Sequence, residues 1–112
     1  MTEINFLYCG KLLAGYEMSG HADDSQVEGE AVLCAALSSA AYLVANTITD
    51  ILHVDADIEV DEGYMMLVVP EEELEHCADV LNGLRLHFTS LAEDYGDNIT
   101  LNDMEVQYNA ED

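Results

Sequence analysis

The sequence predicts an α+β fold, a two-layer sandwich in which two helices cover one face of a mainly antiparallel sheet. Three observations lead to this prediction. The chain has 112 residues, which suits one domain over residues 1–112. Hydrophobic residues make up 50% of it, enough to bury a core. Pairs of strand-like segments alternate with two long helical segments, in the order β-β-α-β-β-α-β.

The first half of the chain predicts a hairpin followed by a helix. Residues 4–9 and 12–18 are apolar and rich in strand-forming residues, with a tight turn predicted at Gly10. Residues 19–29 are polar and flanked by glycine, which indicates a loop. Residues 30–50 are dense in alanine and leucine, which predicts a largely buried helix.

The second half predicts another hairpin, a second helix and a last strand. Residues 53–61 alternate between apolar and acidic side chains, which is typical of a half-buried strand, and residues 64–69 form the return strand. Pro70 opens a helix whose apolar residues recur every three or four positions, so that one stripe is buried. Residues 99–108 form the last predicted strand.

The charge of the chain excludes two classes of partner. The 24 acidic residues face only 2 basic ones, and the formal net charge is −22. Nucleic acids and anionic membranes are bound through several lysines or arginines, which this chain lacks. The charge favours a cationic partner, or it keeps the protein in solution.

Other sequence features point to a reduced protein of the cytoplasm. No basic region precedes an apolar run near Met1, and the apolar stretch 31–45 is shorter than a membrane span, so we expect neither a signal peptide nor a transmembrane helix. Cys9, Cys34 and Cys77 form no C-x-x-C motif. This argues against a disulfide framework and a cysteine-rich zinc site, and we expect no metal or cofactor.

The strongest chemical pattern is the pair His21 and Cys34. His21 lies in a glycine-flanked loop, and Cys34 is expected in the first turn or so of the first helix. A helix N-terminus or a nearby imidazolium lowers a thiol pKa and produces the thiolate that a nucleophile needs. Backbone N–H groups at the helix start could also hold an oxyanion. The pattern is therefore compatible with a catalytic dyad.

The residues around Cys34 also allow a simpler interpretation. A cysteine among alanines and leucines on a buried helix is more often a small core residue. Glu28 and Glu30 lie near it in the sequence, and negative charge raises a thiol pKa. Spacing and composition by themselves leave both interpretations open.

Taken together, the two sequence blocks resemble the ribosomal-processing cysteine protease family, Prp. That family carries G-H-A, a loop, and then G-x-D-x-V-C-A-A-x-S. In this sequence Gly20-His21-Ala22, Gly29, Cys34-Ala35-Ala36 and Ser38 match this pattern. The resemblance implies small cytoplasmic, dimeric cysteine proteases that remove the N-terminal extension of large-subunit ribosomal protein twenty-seven. It implies a homodimer and a basic ribosomal substrate, with which an acidic enzyme is electrostatically compatible.

The resemblance also assigns site residues. It implies that Cys34 is the nucleophile and His21 the general base and acid. The supporting positions of the motif are Gly20, Ala22, Gly29 and Ser38. Ser38 follows Cys34 by one helical turn, so the two should share a helix face.

Two departures from the family pattern keep a second function open. The loop from His21 to Cys34 is about one residue longer than is usual in the family. Ala31 stands where the family has aspartate, so that role is vacant or falls to Glu30, Asp23 or Asp24. The alternative is a non-catalytic acidic protein that binds or sequesters a basic protein, such as a ribosomal one. A mimic of nucleic acid, acting through charge alone, is a third hypothesis.

Two further patterns concern surfaces. Asp55, Asp57, Glu59 and Asp61 begin like a calcium loop, but Val60 occupies the place that needs glycine. A solvated strand face is therefore favoured, and it could dock a basic peptide. The first helix is apolar around most of its circumference, more than one sheet face would cover, which supports a dimer.

Overall fold

A computed structural model describes residues 1–20 and 28–108, and within them it leaves out the side chains of residues 28–31. The elements follow the predicted order. They are β1 Thr2–Cys9, β2 Leu12–Ser19, α1 Glu28–Asn46, β3 Asp57–Asp61, β4 Tyr64–Val68, α2 Leu74–Asp94 and β5 Ile99–Glu105. Most of the loop predicted over residues 19–29 lies outside the described residues.

The strands form one five-stranded sheet in the order β3-β4-β2-β1-β5. The β1–β2, β2–β4 and β3–β4 pairs are antiparallel, and β1–β5 is parallel. The prediction of a mainly antiparallel α+β sheet is therefore confirmed, with one parallel pair that the sequence pattern did not indicate. This pair places β1 inside the sheet and β5 at its edge.

The half-buried strand predicted over residues 53–61 is wrong in length and in burial. The strand begins only at Asp57, and all of its residues are exposed. Ile58 and Val60 point to the same side of the sheet as Leu67 and Met65, their partners on β4, which are buried. They nevertheless remain 39% and 53% exposed, because β3 is an edge strand that the helices do not cover.

Helix α1 is longer than its predicted range at the N-terminal end and changes geometry at the other. It begins at Glu28, ahead of the expected residue 30, and continues beyond Asn46 as a π-helical segment, Thr47–Ile51. The 20 residues Val32–Ile51 are thus long and apolar enough to cross a membrane, which the shorter stretch counted from sequence was not. A third of this stretch is buried in the fold. Its inner side chains belong to the core shared with the sheet, which accounts for their apolar character.

The two faces of the sheet differ in chemistry. The face toward the helices carries core residues such as Ile4, Phe6 and Leu67. On the opposite face, Asn5 donates a hydrogen bond to Glu17 at 3.0 Å, and the Tyr64 hydroxyl donates to the same carboxylate at 2.7 Å. The helices therefore pack on a single face, as predicted.

Tyr16 joins α1 to the middle of the sheet. Its side chain is fully buried on β2, and its hydroxyl donates a hydrogen bond of 2.7 Å to the carbonyl oxygen of Ala41 on α1. Burial, and to a lesser degree Tyr42, raises the pKa of Tyr16 well above its usual value, so the phenol stays protonated and remains a donor. A directional contact thus supplements the apolar packing between the layers.

We expect Tyr16→Phe to lower the free energy of unfolding by about 1–3 kcal/mol, because the Ala41 carbonyl would lose its side-chain donor in a buried site. Urea denaturation measures the change. Tyr95→Phe is the matched control, since Tyr95 is 48% exposed, and it should alter stability by less than about 0.5 kcal/mol. Equal stability of the two variants would contradict the structural role of Tyr16.

Candidate active site

A cavity of about 260 Å³ lies between α1 and the hairpin formed by β3 and β4. It is open to solvent on one side and has both polar and apolar walls. Helix α1 contributes Cys34, Ser38 and Tyr42 to its wall. The hairpin contributes Val60, Asp61 and Tyr64. Thr2, at the start of β1, and Gly20, directly after the end of β2, also line the cavity.

Cys34 is the cysteine that faces this cavity. Its thiol is half-buried, and its Sγ lies 3.7 Å from Oγ1 of Thr2. Cys77 is buried in the core, and burial, assisted by Glu73, raises the pKa of its thiol. None of the three cysteines forms a disulfide. A thiol that is accessible from a cavity and close to a hydroxyl is suited to nucleophilic chemistry.

The structure places Cys34 in the second turn of α1, whereas the sequence suggested the first turn or so. The reason is that the helix begins at Glu28. The N–H group of Cys34 is therefore inside the helix, where it is bonded to the preceding turn. The dipole of a helix acts mainly on its first turn, so the N-terminus assists this thiol less than expected.

Thr2 is a site residue that the sequence did not indicate. It is only 4% exposed, and its backbone N–H donates a hydrogen bond of 2.9 Å to the carbonyl of Asn98. A threonine at the start of a strand belongs to no motif. Its proximity to Cys34 arises from the packing of β1 against both β5 and α1, which has no local sequence signal.

The other motif residues are distributed as follows. Ser38 lines the same cavity as Cys34, which confirms that the two share a helix face. Gly29 lies in the first turn of α1 and not in the predicted loop. The remaining predicted site residues, His21 and Ala22, lie outside the described residues, as do residues 23 and 24, and the side chains at positions 30 and 31 are not described.

Gly20 has a clear structural requirement for glycine. Its φ is +95°, and a Cβ at this position would lie 2.4 Å from the carbonyl oxygen of Met1. Its N–H donates a hydrogen bond of 3.0 Å to the carbonyl of Gly63 in the β3–β4 turn. The residue directly before His21 is thereby fixed at the wall of the cavity.

Tyr64 lines the cavity, but its hydroxyl is turned to the opposite face of the sheet, where it donates to Glu17. Its hydrogen bond to Glu17, with burial and the charges of Glu17 and Glu59, raises the pKa of Tyr64 to about 12. The phenol is therefore neutral near neutral pH and keeps donating to Glu17. Within residues 1–20 and 28–108, no group of three histidine, cysteine or acidic side chains is arranged to hold a metal ion.

Comparisons with known proteins identify a family and a fold for this chain. The family model of the cysteine protease Prp matches residues 1–100. No curated protein is significantly similar to the chain in sequence. The fold is similar to that of SMU.848 from Streptococcus mutans, with a TM-score of 0.81, 23% identity, and 95% of this chain and 99% of that chain covered.

Two solved structures of the essential ribosomal processing protease Prp from S. aureus have the same fold. One holds a covalently linked product peptide and matches with a TM-score of 0.79 at 22% identity. The other holds a substrate peptide and matches with a TM-score of 0.81 at 21% identity. Each match covers 92% of this chain and 99% of the other. At these identities the likeness concerns the fold.

We expect Gly20→Ala to destabilise the protein by at least about 1–2 kcal/mol, because an L-residue at positive φ is strained and its Cβ would meet the Met1 carbonyl. Gly83→Ala is the matched control. Gly83 lies within α2 with open space around it, so alanine should stabilise by up to about 1 kcal/mol. Thermal and urea denaturation of both variants measure these changes, and shifts of the same sign would contradict the prediction.

Proposed function

Because the chain belongs to the cysteine protease Prp family, we propose that it removes the N-terminal extension of large-subunit ribosomal protein twenty-seven, with Cys34 as its nucleophile. The observation that carries this proposal is the half-buried Cys34 thiol in the wall of an open cavity. The motif resemblance assigns the family's nucleophile to this residue. The S. aureus relatives that hold a substrate and a product peptide support a peptide as ligand of this fold.

The proposed reaction follows thiol protease chemistry. His21 accepts the proton of Cys34, and the thiolate attacks the scissile carbonyl. The tetrahedral intermediate collapses as protonated His21 gives its proton to the leaving amine, and an acyl-enzyme forms. Water, deprotonated by His21, then hydrolyses the thioester and restores the thiol. Thr2 assists by donating its hydroxyl to the thiolate, since a hydrogen bond to the charged form favours that form.

The position of Cys34 in the second turn of α1 bears on the oxyanion. The amide of Cys34 is used within the helix, so the donors that stabilise the oxyanion must come from other groups around the cavity. Thr2 and Ser38 carry hydroxyls in that wall. Ser38 is thus a supporting residue in the proposal, one turn from the nucleophile.

Charge supports the choice of substrate. Ribosomal proteins are strongly basic, and a protein with a net charge of −22 attracts them by long-range electrostatics. We expect the enzyme to bind this substrate in the cytoplasm, before the substrate joins the ribosome. The cytoplasm is reducing, so the cysteines of the enzyme stay as thiols. The same charge disfavours direct contact with ribosomal RNA.

Ala31 favours one second candidate, a non-catalytic protein that binds the basic ribosomal protein without cleaving it. The family pattern has aspartate at this position, and alanine cannot orient a histidine. This candidate shares the substrate and the acidic surface with the first. The two differ only in whether the peptide bond is cleaved.

We propose that the protein is a homodimer that associates through the outer face of α1. Val32 and Leu43 on this face are 68% and 67% exposed, and Tyr42 is 44% exposed. No charged residue occurs between Glu30 and Asp50, in a chain that carries 24 acids. A symmetric contact places the same face of each copy against the other, and small residues such as Ala35 permit close approach.

In the catalytic test, purified protein is mixed with ribosomal protein twenty-seven that carries its extension, and intact mass is followed over time. We expect a single N-terminal clip, abolished by Cys34→Ser and reduced by at least about 100-fold by His21→Ala. Cys9→Ser is the matched control, because Cys9 is also half-buried but lies outside the wall of this cavity, and it should keep full activity.

Each other result of this assay has a definite meaning. Cleavage retained by Cys34→Ser would remove Cys34 from the mechanism. Binding without cleavage by the wild type would support the non-catalytic candidate, and Ala31→Asp would then test whether the missing aspartate explains it.

For the dimer, we expect Leu43→Glu to convert the protein to a monomer in analytical ultracentrifugation, because it buries a charge in the contact. Leu86→Glu on α2 is the matched control, since Leu86 is 70% exposed and lies outside the proposed face. Dimerisation should strengthen as salt rises, because salt screens the repulsion between two acidic copies. A monomeric wild type at micromolar concentration and high salt would contradict the proposal.

A further inference from the structure

Strand β3 has an open outer edge next to the candidate active site. It is the end strand of the sheet, and among the described residues no strand pairs with its outer side. In an antiparallel ladder, the N–H and C=O groups of every second residue point away from the partner strand. These groups form a template on which an extended peptide can add as a further strand.

The two ends of β3 open into two different cavities. At its C-terminal end, Val60 and Asp61 line the cavity that contains Cys34. At its N-terminal end, Asp57 lines a second cavity of about 510 Å³. The strand thus runs about 13 Å, the length of four residue intervals, from the wall of the cavity that contains Cys34 to a separate recess.

The second cavity is suited to a cation. Its wall contains the carboxylates of Asp55, Asp57, Glu71 and Glu72 and no lysine or arginine. Tyr108 also lines it and donates its hydroxyl to the Val69 carbonyl at 2.6 Å. Burial and the nearby charges raise the pKa of Tyr108 to about 12, so the phenol is neutral near neutral pH and the negative charge of the recess comes from its carboxylates.

The side chains of β3 specify what can pair with its edge. Ile58 and Val60 are exposed on the side that faces the helices, and Asp57, Glu59 and Asp61 are exposed on the other. Two copies of this strand paired edge to edge would bring carboxylates close to one another, which is unfavourable. A strand with apolar residues on one side and basic residues on the other is complementary to both faces.

We propose that β3 receives part of the substrate as an added strand, which leads from the acidic recess, where a basic side chain binds, toward the cavity that contains Cys34. This inference rests on the proposed protease function and names the substrate class: an extended peptide that alternates apolar and basic residues. The main-chain hydrogen bonds along β3 supply affinity for any extended peptide, and the recess supplies selectivity for a cation.

The experiment uses the full chain with Cys34→Ser, so that no probe is cut, and follows binding by fluorescence anisotropy. The probe is a short labelled peptide of alternating valine and lysine. Two further probes carry N-methyl groups on alternate amides, in the two possible registers. We expect one register to lose at least about tenfold in affinity and the other to bind nearly as well as the parent, because only one set of amides faces β3.

Because the whole protein is acidic, a matched charge control is essential. Asp57→Lys with Glu59→Lys should weaken binding of the unmethylated probe at least about tenfold. Asp79→Lys with Glu93→Lys makes the same change in net charge at exposed positions of α2 and should weaken it by no more than about twofold. All four positions are exposed, so the variants should fold.

Two results would overturn the inference. Equal weakening by the two charge pairs would show that net charge alone attracts the peptide. Equal effects of the two methylated registers would show that no strand pairing occurs.

The binding readout separates this inference from the protease proposal. Binding that depends on β3 supports the inference even if no cleavage of ribosomal protein twenty-seven is found. Conversely, cleavage whose kcat/KM is unchanged by the pair Asp57→Lys and Glu59→Lys would leave the protease standing and overturn the role of the β3 edge.

Discussion

The contact between Tyr16 and α1 determines where the candidate nucleophile lies. The Tyr16 hydroxyl binds the Ala41 carbonyl from the centre of the sheet, and Leu37, one turn earlier on the same side of the helix, is fully buried. One more turn back along this side the helix reaches Cys34, at the rim of the sheet. Cys34 is half-buried because it lies at the edge of the core. Beyond it is the cavity that α1 shares with the β3–β4 hairpin.

The distribution of charge divides the surface into regions with different chemistry. No charged residue occurs over residues 31–49, whereas β3 and the segment Glu71–Glu73 before α2 are strongly acidic. Of the two basic residues, Arg85 lies 5.2 Å from the Phe6 ring centroid and binds Asp103 on β5. It is therefore engaged within the fold and does little to offset the acids elsewhere. The uncharged surface of α1, proposed to bind a second copy of the protein, and the acidic edge of β3, proposed to bind a basic peptide, can coexist because they lie on different elements.

Periodicity in the sequence was sufficient for the order of elements, since three- to four-residue and two-residue repeats are local properties. The spacing of Cys34 and Ser38 likewise predicted a shared face, which the cavity confirms. The burial of β3 was not predictable, because Ile58 and Val60 alternate as they would in a covered strand and only the strand order reveals the edge. Thr2 was missed because its neighbour Cys34 is distant in sequence and no motif connects them. The start of α1 at Glu28, two residues before the predicted start, was not predictable, because Gly29 favours a loop over a helix.

The parallel pairing of β1 with β5 makes the site a late product of folding. Thr2 pairs with Ile99 and binds Asn98, so its place beside Cys34 depends on residues made near the end of the described chain. Contacts between such distant segments carry a large loop-closure entropy and form slowly. While residues 99–105 are still unsynthesised, β1 lacks one neighbour and the hydroxyl beside the thiol has no fixed position. A nascent chain would therefore contain Cys34 long before Thr2 is fixed beside it. The site would be complete only after β5 has paired with β1.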